Sequence, residues 1–385
     1  MRLTVVGNPD NRRVALFRRA VREAGLPDPA VLPWARVLTG AAPPDADALV
    51  RVDSPGEDAE VDRLLRDAAT PARHGELIGL ADTYAGLVAA MGRVAAGGAT
   101  LLNHPDDVAA LCDKRRCHAL LSAAGVPVPA ALPPVGGYPQ LRAAMTAAGW
   151  HRVFVKPAHG SSAAGVIALA VGPRRIQAVT PIEITPDGLF NSLRLRRYDD
   201  EATVAALVDR LAPEGLHVEQ WLPKAGLADR VVDLRVVVVA GRATHAVVRA
   251  ARGPLTNLHL GNARGDLAAL RAAAGAQSWT AAMRTCERAA ACFPRSLHVG
   301  VDLMFLVGWR RHAVAEVNAF GDLLPGVLAG GRDTYAEQVH ALTSGRWDRW
   351  RATATVAGDG PATAGPDPAV GGPATTRREE AGCAR

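Results

Sequence analysis

The first hundred residues alternate short apolar runs with amphipathic stretches. Apolar runs at residues 3–6, 31–34 and 48–52 predict strands, and the stretches at about 11–24 and 57–68 predict helices. Strands that alternate with helices are typical of a small parallel sheet. We therefore expect an α/β domain over residues 1–102.

Residues 103–222 change from a helical to a β pattern. Helical stretches are predicted at about 105–124 and 138–148, followed by a strand at 153–156, a small-residue loop and a strand at 166–171. Two strands joined by such a loop form a flap. Residues 173–198 are less regular, and the pattern assigns them no role. A helix at about 200–211 and a strand at 216–222 complete this part.

Residues 223–350 predict a second α+β unit. Hairpin strands at 231–239 and 243–249 are followed by helices at 267–274 and 280–292 and by strands at 299–307 and 312–320. Residues 351–385 are dominated by Ala, Gly, Pro and Thr, which predicts a disordered tail. The predicted fold class is α/β (α+β), with two α+β subdomains over 103–350 behind the first domain.

Composition narrows the class of protein. With 49% hydrophobic and 4% aromatic residues, the 385-residue chain is typical of an α/β protein. It has neither a predicted membrane span nor a signal-peptide pattern, so we expect a cytoplasmic protein. The net charge of +6 comes from scattered basic residues, which argues against dedicated nucleic-acid binding. The five cysteines lack zinc-site spacing and are expected to be reduced.

Lysine is rare in this chain. Of the 44 basic residues only Lys114, Lys156 and Lys224 are lysine, so arginine is used wherever a general positive charge suffices. A lysine that persists indicates a position where a compact ammonium is needed instead of a planar guanidinium. The alternative is that all three are chance survivors.

The flap loop has the chemistry of a phosphate site. Gly160 lets the backbone turn its N–H groups to one side, Ser161 and Ser162 add small hydroxyl donors, and Lys156 at the base adds a cation. The order of residues is not that of a P-loop, in which the lysine follows the glycines. An ordinary glycine-containing hairpin turn is the alternative.

Arg235 interrupts an almost continuous valine run in a predicted strand. A buried, unpaired charge there would cost several kcal/mol, so the side chain must meet water, a counter-ion or an anionic ligand. The neighbouring Asp233 is the obvious counter-ion.

Three polar residues on the last predicted hairpin form a possible metal site. Glu316 and Asn318 are two apart and share a face of their strand, and Asp302 on the preceding strand can meet them. Such a set of oxygen ligands suits Mg²⁺ bound to nucleotide phosphates. The alternative is an exposed polar strand face.

Together these motifs resemble the ATP-grasp superfamily, in particular the ribosomal-protein glutamate ligase and glutathione synthetase-like carboxylate-amine ligases. The resemblance runs from about Asn103 to Gly326. It implies two subdomains, roughly 103–222 and 223–350, that sandwich ATP. It also implies that Lys114 and Lys156 contact ATP together with Gly160, Ser161 and Ser162, and that a hinge meets the adenine through its backbone. The hinge residues would be Glu219, Gln220, Trp221 and Leu222.

The same resemblance implies catalytic and metal roles. Arg235 and Arg249 correspond to the arginine pair that steadies phosphate and an acyl-phosphate intermediate, and Asp302, Glu316 and Asn318 correspond to the metal ligands. Residues 256–261 occupy the place of a segment near the substrate. Lys224 stands where many relatives have an acidic residue for the ribose, and Asp229 is the other candidate for that contact.

The implied function is an ATP-dependent carboxylate-amine or carboxylate-thiol ligase that releases ADP and phosphate. ATP and Mg²⁺ are the expected cofactors, with Mn²⁺ as a substitute. The expected partners are small-molecule or peptide carboxylates and amines, with neither nucleic acid nor membrane. A non-catalytic ATP-binding or regulatory module and a phosphotransferase that stops at a phosphorylated product are the alternatives. A peptide, a modified amino acid and a protein side chain all stay open as substrates.

Overall fold

The structure is a computed structural model that describes residues 1–56, 58–161, 163–320 and 324–358. Ser162 of the predicted phosphate loop and residues 359–385 of the predicted tail lie outside the described residues. No helix in the described part of the chain combines the length and apolar character needed to cross a membrane.

The N-terminal domain contains the predicted parallel sheet, with strand order β2-β1-β3-β4. Its elements are β1 (Arg2–Val6), α1 (Arg12–Glu23), β2 (Ala30–Leu32), α2 (Trp34–Leu38), β3 (Ala48–Val52), α3 (Ala59–Leu65), α4 (Leu80–Ala95) and β4 (Thr100–Leu101). Two details of the prediction were wrong. Trp34 begins a helix instead of ending a strand, and the sequence pattern did not indicate α4.

The central subdomain is a five-stranded antiparallel sheet of order β8-β7-β6-β5-β9 with its own hydrophobic core. Its elements are α5 (Pro105–Leu111), α6 (Lys114–Ala123), α7 (Tyr138–Ala147), β5 (Arg152–Pro157), β6 (Ile167–Gly172), β7 (Arg175–Thr185), β8 (Gly188–Tyr198), α8 (Glu201–Leu211) and β9 (Leu216–Gln220). The region left unassigned at 173–198 is therefore a long β-hairpin.

Helices α5 and α6 are separate, whereas the pattern predicted one helical stretch to residue 124. Asp113 breaks it because its carboxylate accepts hydrogen bonds from the N–H groups of Arg115, at 2.9 Å, and Arg116, at 3.3 Å. This is an N-cap, so a new helix begins at Lys114. The cap places the Lys114 side chain at the start of α6.

The third unit is a six-stranded sheet of order β13-β12-β11-β14-β15, with β10 paired to β11. Its elements are β10 (Gly226–Leu227), β11 (Arg230–Val239), β12 (Arg242–Ala251), β13 (Ala263–Gly265), α9 (Leu267–Ala291), β14 (His298–Phe305), β15 (His312–Asn318), α10 (Thr334–Thr343) and α11 (Arg346–Gly358). The two helical stretches predicted at 267–274 and 280–292 both lie in α9, and the break predicted between them is present at Gly275, whose φ of 75° and ψ of 157° are not helical. Helix α11 continues to Gly358, so residues 351–358 do not belong to a disordered tail.

The N-terminal domain and the third unit share two hydrophobic clusters. In one of them, Val5 and Phe17 pack with Val237 of β11 and Tyr335 of α10. The central sheet contributes to neither of these cores. The N-terminal domain and the third unit thus form a larger body, and the central sheet meets it through a small cluster in which Phe154, Val166 and Ala168 pack with Leu255 and Leu260. The candidate site lies between the larger body and the central sheet.

Candidate active site

Two cavities meet where the flap loop of the central sheet faces the hairpin β14–β15 of the third sheet. The smaller, of about 120 Å³, lies between the two sheets. The larger, of about 730 Å³, extends toward α1, α3 and α4. Both are lined by Gly160, Arg235, Arg249, Glu316 and Asn318, so these predicted site residues lie at the junction.

The flap loop follows β5 directly and takes the backbone conformations that its glycines permit. Gly160 has a φ of 122° and Gly165 a φ of 70°. Lys114 holds the loop, because its N–H donates to Ala158 O at 2.9 Å and its Nζ donates to Gly160 O at 2.7 Å. Ser161 lines both cavities. Lys114 therefore fixes the backbone of the flap loop and also places a positive charge at the site.

Lys156 lies in the buried part of β5 and forms an ion pair with Glu219 on the neighbouring strand β9. Burial acts to raise the pKa of Glu219, but Lys156 and His217, whose Nε2 lies 3.3 Å from the carboxylate, lower it to about 2. Burial acts to lower the pKa of Lys156, and Glu219 and Glu316 raise it above its ordinary value. Both side chains are thus charged, and the Glu219 carboxylate is turned toward Lys156.

Residues 219–222, which resemble a nucleotide hinge, begin with Glu219 of this pair. The N–H of Gln220 donates to Ala130 O at 2.8 Å and that of Trp221 to Arg152 O at 3.2 Å. In the described residues, the N–H of Leu222 makes no backbone hydrogen bond. Glu219 lines the smaller cavity, whereas Gln220, Trp221 and Leu222 are not among the residues that line either cavity.

Arg235 pairs with Asp302, and not with the nearer residue in sequence, Asp233. The two residues are opposite each other on β11 and β14, and Nε lies 2.9 Å from the Asp302 carboxylate. Gly300 makes room for this arrangement, because a Cβ at that position would lie 2.6 Å from Nη1 of Arg235. Arg249 lies 3.1 Å from the same carboxylate. Two cations thus face one acid at the junction of the cavities.

Asp233 is the centre of a buried cluster that the sequence did not indicate. Its carboxylate accepts from Arg249 Nε at 2.7 Å, from Lys224 Nζ at 2.8 Å and from the Thr256 hydroxyl. Burial acts to raise the pKa of Asp233, but Arg249 and Lys224 hold it well below its usual range. Asp233 and Arg249 lie opposite each other in the hairpin β11–β12. Pairing the two predicted strands in this register would have placed the two charges together.

The two candidates for a ribose contact differ in position. Lys224 lines the smaller cavity, but its ammonium donates to Asp233 and Thr256, both at 2.8 Å. Asp229 has a side chain that is 66% exposed and is paired with Arg252 at 3.5 Å, and it lies outside the lining of either cavity. The structure does not bring Asp229 to the site.

The predicted metal ligands lie together on the hairpin β14–β15. Asp302 is opposite Glu316, and Asn318 is opposite Gly300, whose carbonyl accepts from Asn318 Nδ2 at 3.4 Å. Glu316 has one ion pair, at 3.5 Å from Lys114. Burial acts to raise the pKa of Glu316, but Lys114 and Lys156 hold it below its usual value. Glu316 and Asn318 line both cavities, and Asp302 lines the smaller one.

The oxygen donors of Asp302 and Asn318 decide whether this set fits a divalent cation. Asp302 Oδ1 is buried and, apart from the ion pair, forms no hydrogen bond. Across the residues that the structure describes, no group of three or more His, Cys, Asp and Glu side chains is placed to hold a metal. The amide oxygen of Asn318 is therefore needed to complete a set of three, and such hard oxygen donors fit Mg²⁺.

Two residues of the site were missed from sequence. His159 follows Ala158 in the flap loop and lines the larger cavity, where its ring stacks on Tyr84 with centroids 4.0 Å apart. Tyr84 belongs to α4, a helix that the pattern did not predict. The histidine was visible within the flap motif, but nothing in the sequence placed an aromatic partner against it.

Comparison with known proteins gives matches to solved structures. No protein-family model matches the chain, and no curated protein matches it. D-cycloserine synthetase DcsG superposes with a TM-score of 0.55 and 17% identity, over 90% of this chain and 100% of that one. The ATP-grasp ligase PsnB, complexed with a minimal precursor, gives a TM-score of 0.52 and 18% identity, over 89% and 98%.

A third match is the D-alanine–D-alanine ligase from Bacillus anthracis, solved in complex with ATP. It has a TM-score of 0.50 and 12% identity, over 91% of this chain and 99% of that one. All three matches cover the N-terminal domain and both later units. At these sequence identities, the matches show the fold of the chain.

Proposed function

The chain has the ATP-grasp fold, as predicted, and from this premise we propose that it is an ATP-dependent carboxylate-amine ligase. One observation carries the proposal: the smaller cavity and the larger cavity share a wall made of the predicted phosphate and metal residues. A ligase of this kind must bring a nucleotide and a second substrate to one point. At the shared wall, a ligand in the smaller cavity and a ligand in the larger cavity can meet.

The smaller cavity suits a nucleotide base. Phe154 and Val166 of the central subdomain line one side, and Met304 and Ala315 of the third sheet line the other. A flat aromatic ring is stabilised between two apolar walls. The backbone of the hinge would meet the adenine edge, and the phosphates would extend toward Lys114, Lys156 and the flap. Gly160, Ser161 and Ser162 would contribute donors there.

Asp302, Glu316 and Asn318 would hold Mg²⁺, for which their oxygen donors fit. When bound, the ion supplies positive charge that offsets the charge of the transferring phosphoryl group. Binding requires a change in the present ion pairs, because Arg235 and Arg249 now face Asp302 and Lys114 faces Glu316. These cations would then be free to turn toward phosphate oxygens.

The reaction would begin with a substrate carboxylate in the larger cavity. Its oxygen attacks the γ-phosphorus of ATP, the bond to the β-phosphate oxygen breaks, and an acyl phosphate and ADP form. Arg235 and Arg249 lie at the junction and would stabilise the transferring phosphoryl group. An amine then attacks the acyl carbon, phosphate leaves, and an amide forms. The flap would exclude water, which competes with the amine.

The proposal is tested by ADP release. The purified protein is incubated with ATP, MgCl₂ and pooled amino acids and dipeptides, with each pool given alone and in pairs. We expect ADP and phosphate to form in equal amounts with a new amide, and Glu316→Ala to form neither. ADP together with a stable phosphorylated product would support a phosphotransferase instead. Binding of Mg-ATP without turnover in any pool would support a non-catalytic ATP-binding module.

A further inference from the structure

His159 lies at the side of the site from which the second substrate would arrive. It lines the larger cavity, and the next residue, Gly160, lies in the wall that both cavities share. The residue is 6% exposed. The proposed reaction gives this side chain no role, although a buried imidazole next to the reaction point is suited to proton transfer.

The backbone on both sides of His159 is fixed by one residue. Ala158 O accepts from the N–H of Lys114 at 2.9 Å, and Gly160 O accepts from Lys114 Nζ at 2.7 Å. The Ala158 N–H in turn donates to Gly215 O at 2.9 Å. The ring plane is set by stacking on Tyr84, at an interplanar angle of 13°. The imidazole therefore has a defined place, as catalytic proton transfer requires.

The hydrogen bond of the ring decides which nitrogen carries the proton. Nδ1 lies 3.2 Å from Cys112 O. A backbone carbonyl only accepts hydrogen bonds, so Nδ1 must donate, and in the neutral ring Nε2 then has the free lone pair. Nε2 is therefore the proton acceptor.

The surroundings keep this ring neutral. Burial lowers the pKa of His159, and Arg115 and Lys114 lower it further, whereas the Cys112 carbonyl and Asp113 act in the opposite direction. The hydroxyl of Tyr84, the residue stacked on the ring, donates to Ala109 O at 3.0 Å and accepts from Arg116 Nη1 at 3.2 Å. At neutral pH the ring is thus ready to accept a proton.

We propose that His159 is the general base for the incoming amine, an inference that rests on the proposed function. As the amine nitrogen bonds to the acyl carbon, the bond from that carbon to the phosphate oxygen breaks, and phosphate leaves with the electron pair. The proton lost by the nitrogen passes to Nε2 of His159 and then to solvent. The residue acts on the second step and has no part in ATP binding.

The first test needs no substrate. Nuclear magnetic resonance of the ¹⁵N-histidine-labelled full chain reports which ring nitrogen is protonated, with His159→Gln to assign the signal and the exposed His151 as an internal reference. We expect a neutral ring with the proton on Nδ1 at pH 7, and a pKa below the ordinary histidine value of 6.5. A proton on Nε2, or a charged ring at pH 7, overturns the proposal.

The second test separates proton removal from the rest of the reaction. Hydroxylamine is uncharged at neutral pH and needs little help from a base, so it replaces the amine in the Mg-ATP assay with pooled amino acids. We expect His159→Gln to lower amide formation by about 100-fold or more and hydroxamate formation by less than about tenfold. In the wild type, the rate of amide formation should fall at acidic pH as His159 becomes protonated. The His159→Gln variant should lack this pH dependence.

The outcomes are distinct. Equal losses of amide and hydroxamate, or no loss of either, overturn the role of His159 as a base. His151→Gln is the matched control, since this exposed histidine lies outside both cavities, and it should leave both rates unchanged. If the wild type forms neither product, the proposed function fails and the inference falls with it. Mg-ATP binding by His159→Gln shows that the variant has folded.

Discussion

Asp233→Asn is the substitution whose effect follows most directly from the geometry. The carboxylate is 4% exposed and holds two cations, Arg249 at 2.7 Å and Lys224 at 2.8 Å. Asparagine has nearly the same shape but lacks the charge. The change leaves Lys224 buried without its counter-ion, while Arg249 keeps one partner, Asp302 at 3.1 Å.

The expected cost is large for a substitution that alters so few atoms. Removing one partner of a buried ion pair typically costs about 3–5 kcal/mol, because the other charge stays buried and unpaired. Asp229→Asn is the matched control in the loop before β11. Its side chain is 66% exposed and lies 3.5 Å from Arg252, which is 77% exposed, so we expect a cost of about 0–1 kcal/mol.

The assay is equilibrium unfolding in urea, followed by tryptophan fluorescence for the wild type and both variants. Adding Lys224→Met to Asp233→Asn should restore part of the lost stability, because the unpaired ammonium is then removed. The contribution of Asp233 is present above its ordinary pKa of 3.8 and is lost as the pH falls below that value. Equal, small losses in the two single variants would refute this account of the cluster.

Three further predictions concern the site. Lys156→Ala should weaken ATP binding in calorimetry by about tenfold (about 1.4 kcal/mol) or more, and by more than Lys224→Ala does, because Lys156 lies at the base of the flap loop proposed to bind phosphate, whereas Lys224 is held between Asp233 and Thr256. Gly300→Ala should displace the guanidinium that lies 2.6 Å from the added Cβ and reduce ADP release. Glu219→Gln should be less stable than the wild type at neutral pH, and this difference should become smaller as the pH falls from 4.5 toward 2. The reason is that Glu219 becomes protonated in this range, and only the wild type has that carboxylate.

Each of these has an outcome that contradicts it. A larger loss of ATP affinity in Lys224→Ala than in Lys156→Ala would contradict the assignment of the flap loop as the phosphate site. Gly92→Ala is the control for Gly300→Ala, because a Cβ on that helical glycine meets no atom within 4 Å, and equal effects would count against the packing argument. A stability difference for Glu219→Gln that stays constant across the acid range would contradict the low pKa of the carboxylate.

The sequence predicted the elements whose pattern is set by burial. Strands β11 and β14 are buried along most of their length and read as near-continuous valine-rich or apolar runs. The flap was visible because glycine and serine follow a β-branched strand. The hairpin β7–β8 was not, since the second half of β8 is a largely exposed edge in which Leu193 is 74% exposed, so the pattern carries no burial signal.

The site was only partly predictable, for a reason of distance along the chain. Side chains two apart on one strand can be paired from sequence, as Glu316 and Asn318 were. The cluster around Asp233 brings in Lys224 and Thr256, which are 9 and 23 residues away. The stack of Tyr84 on His159 joins two domains. Such contacts depend on how separate elements pack, and no local pattern encodes that.

The most direct measurement of the central claim is thermal stabilisation by ATP, with and without Mg²⁺, for the wild type and Glu316→Ala side by side. A ligand at 100 times its dissociation constant adds about 2.7 kcal/mol to the stability of the protein it binds. We expect a clear upward shift of the melting temperature for the wild type with Mg-ATP and none for Glu316→Ala. Equal shifts in both proteins would contradict the metal site, and no shift in either would contradict the ATP site itself.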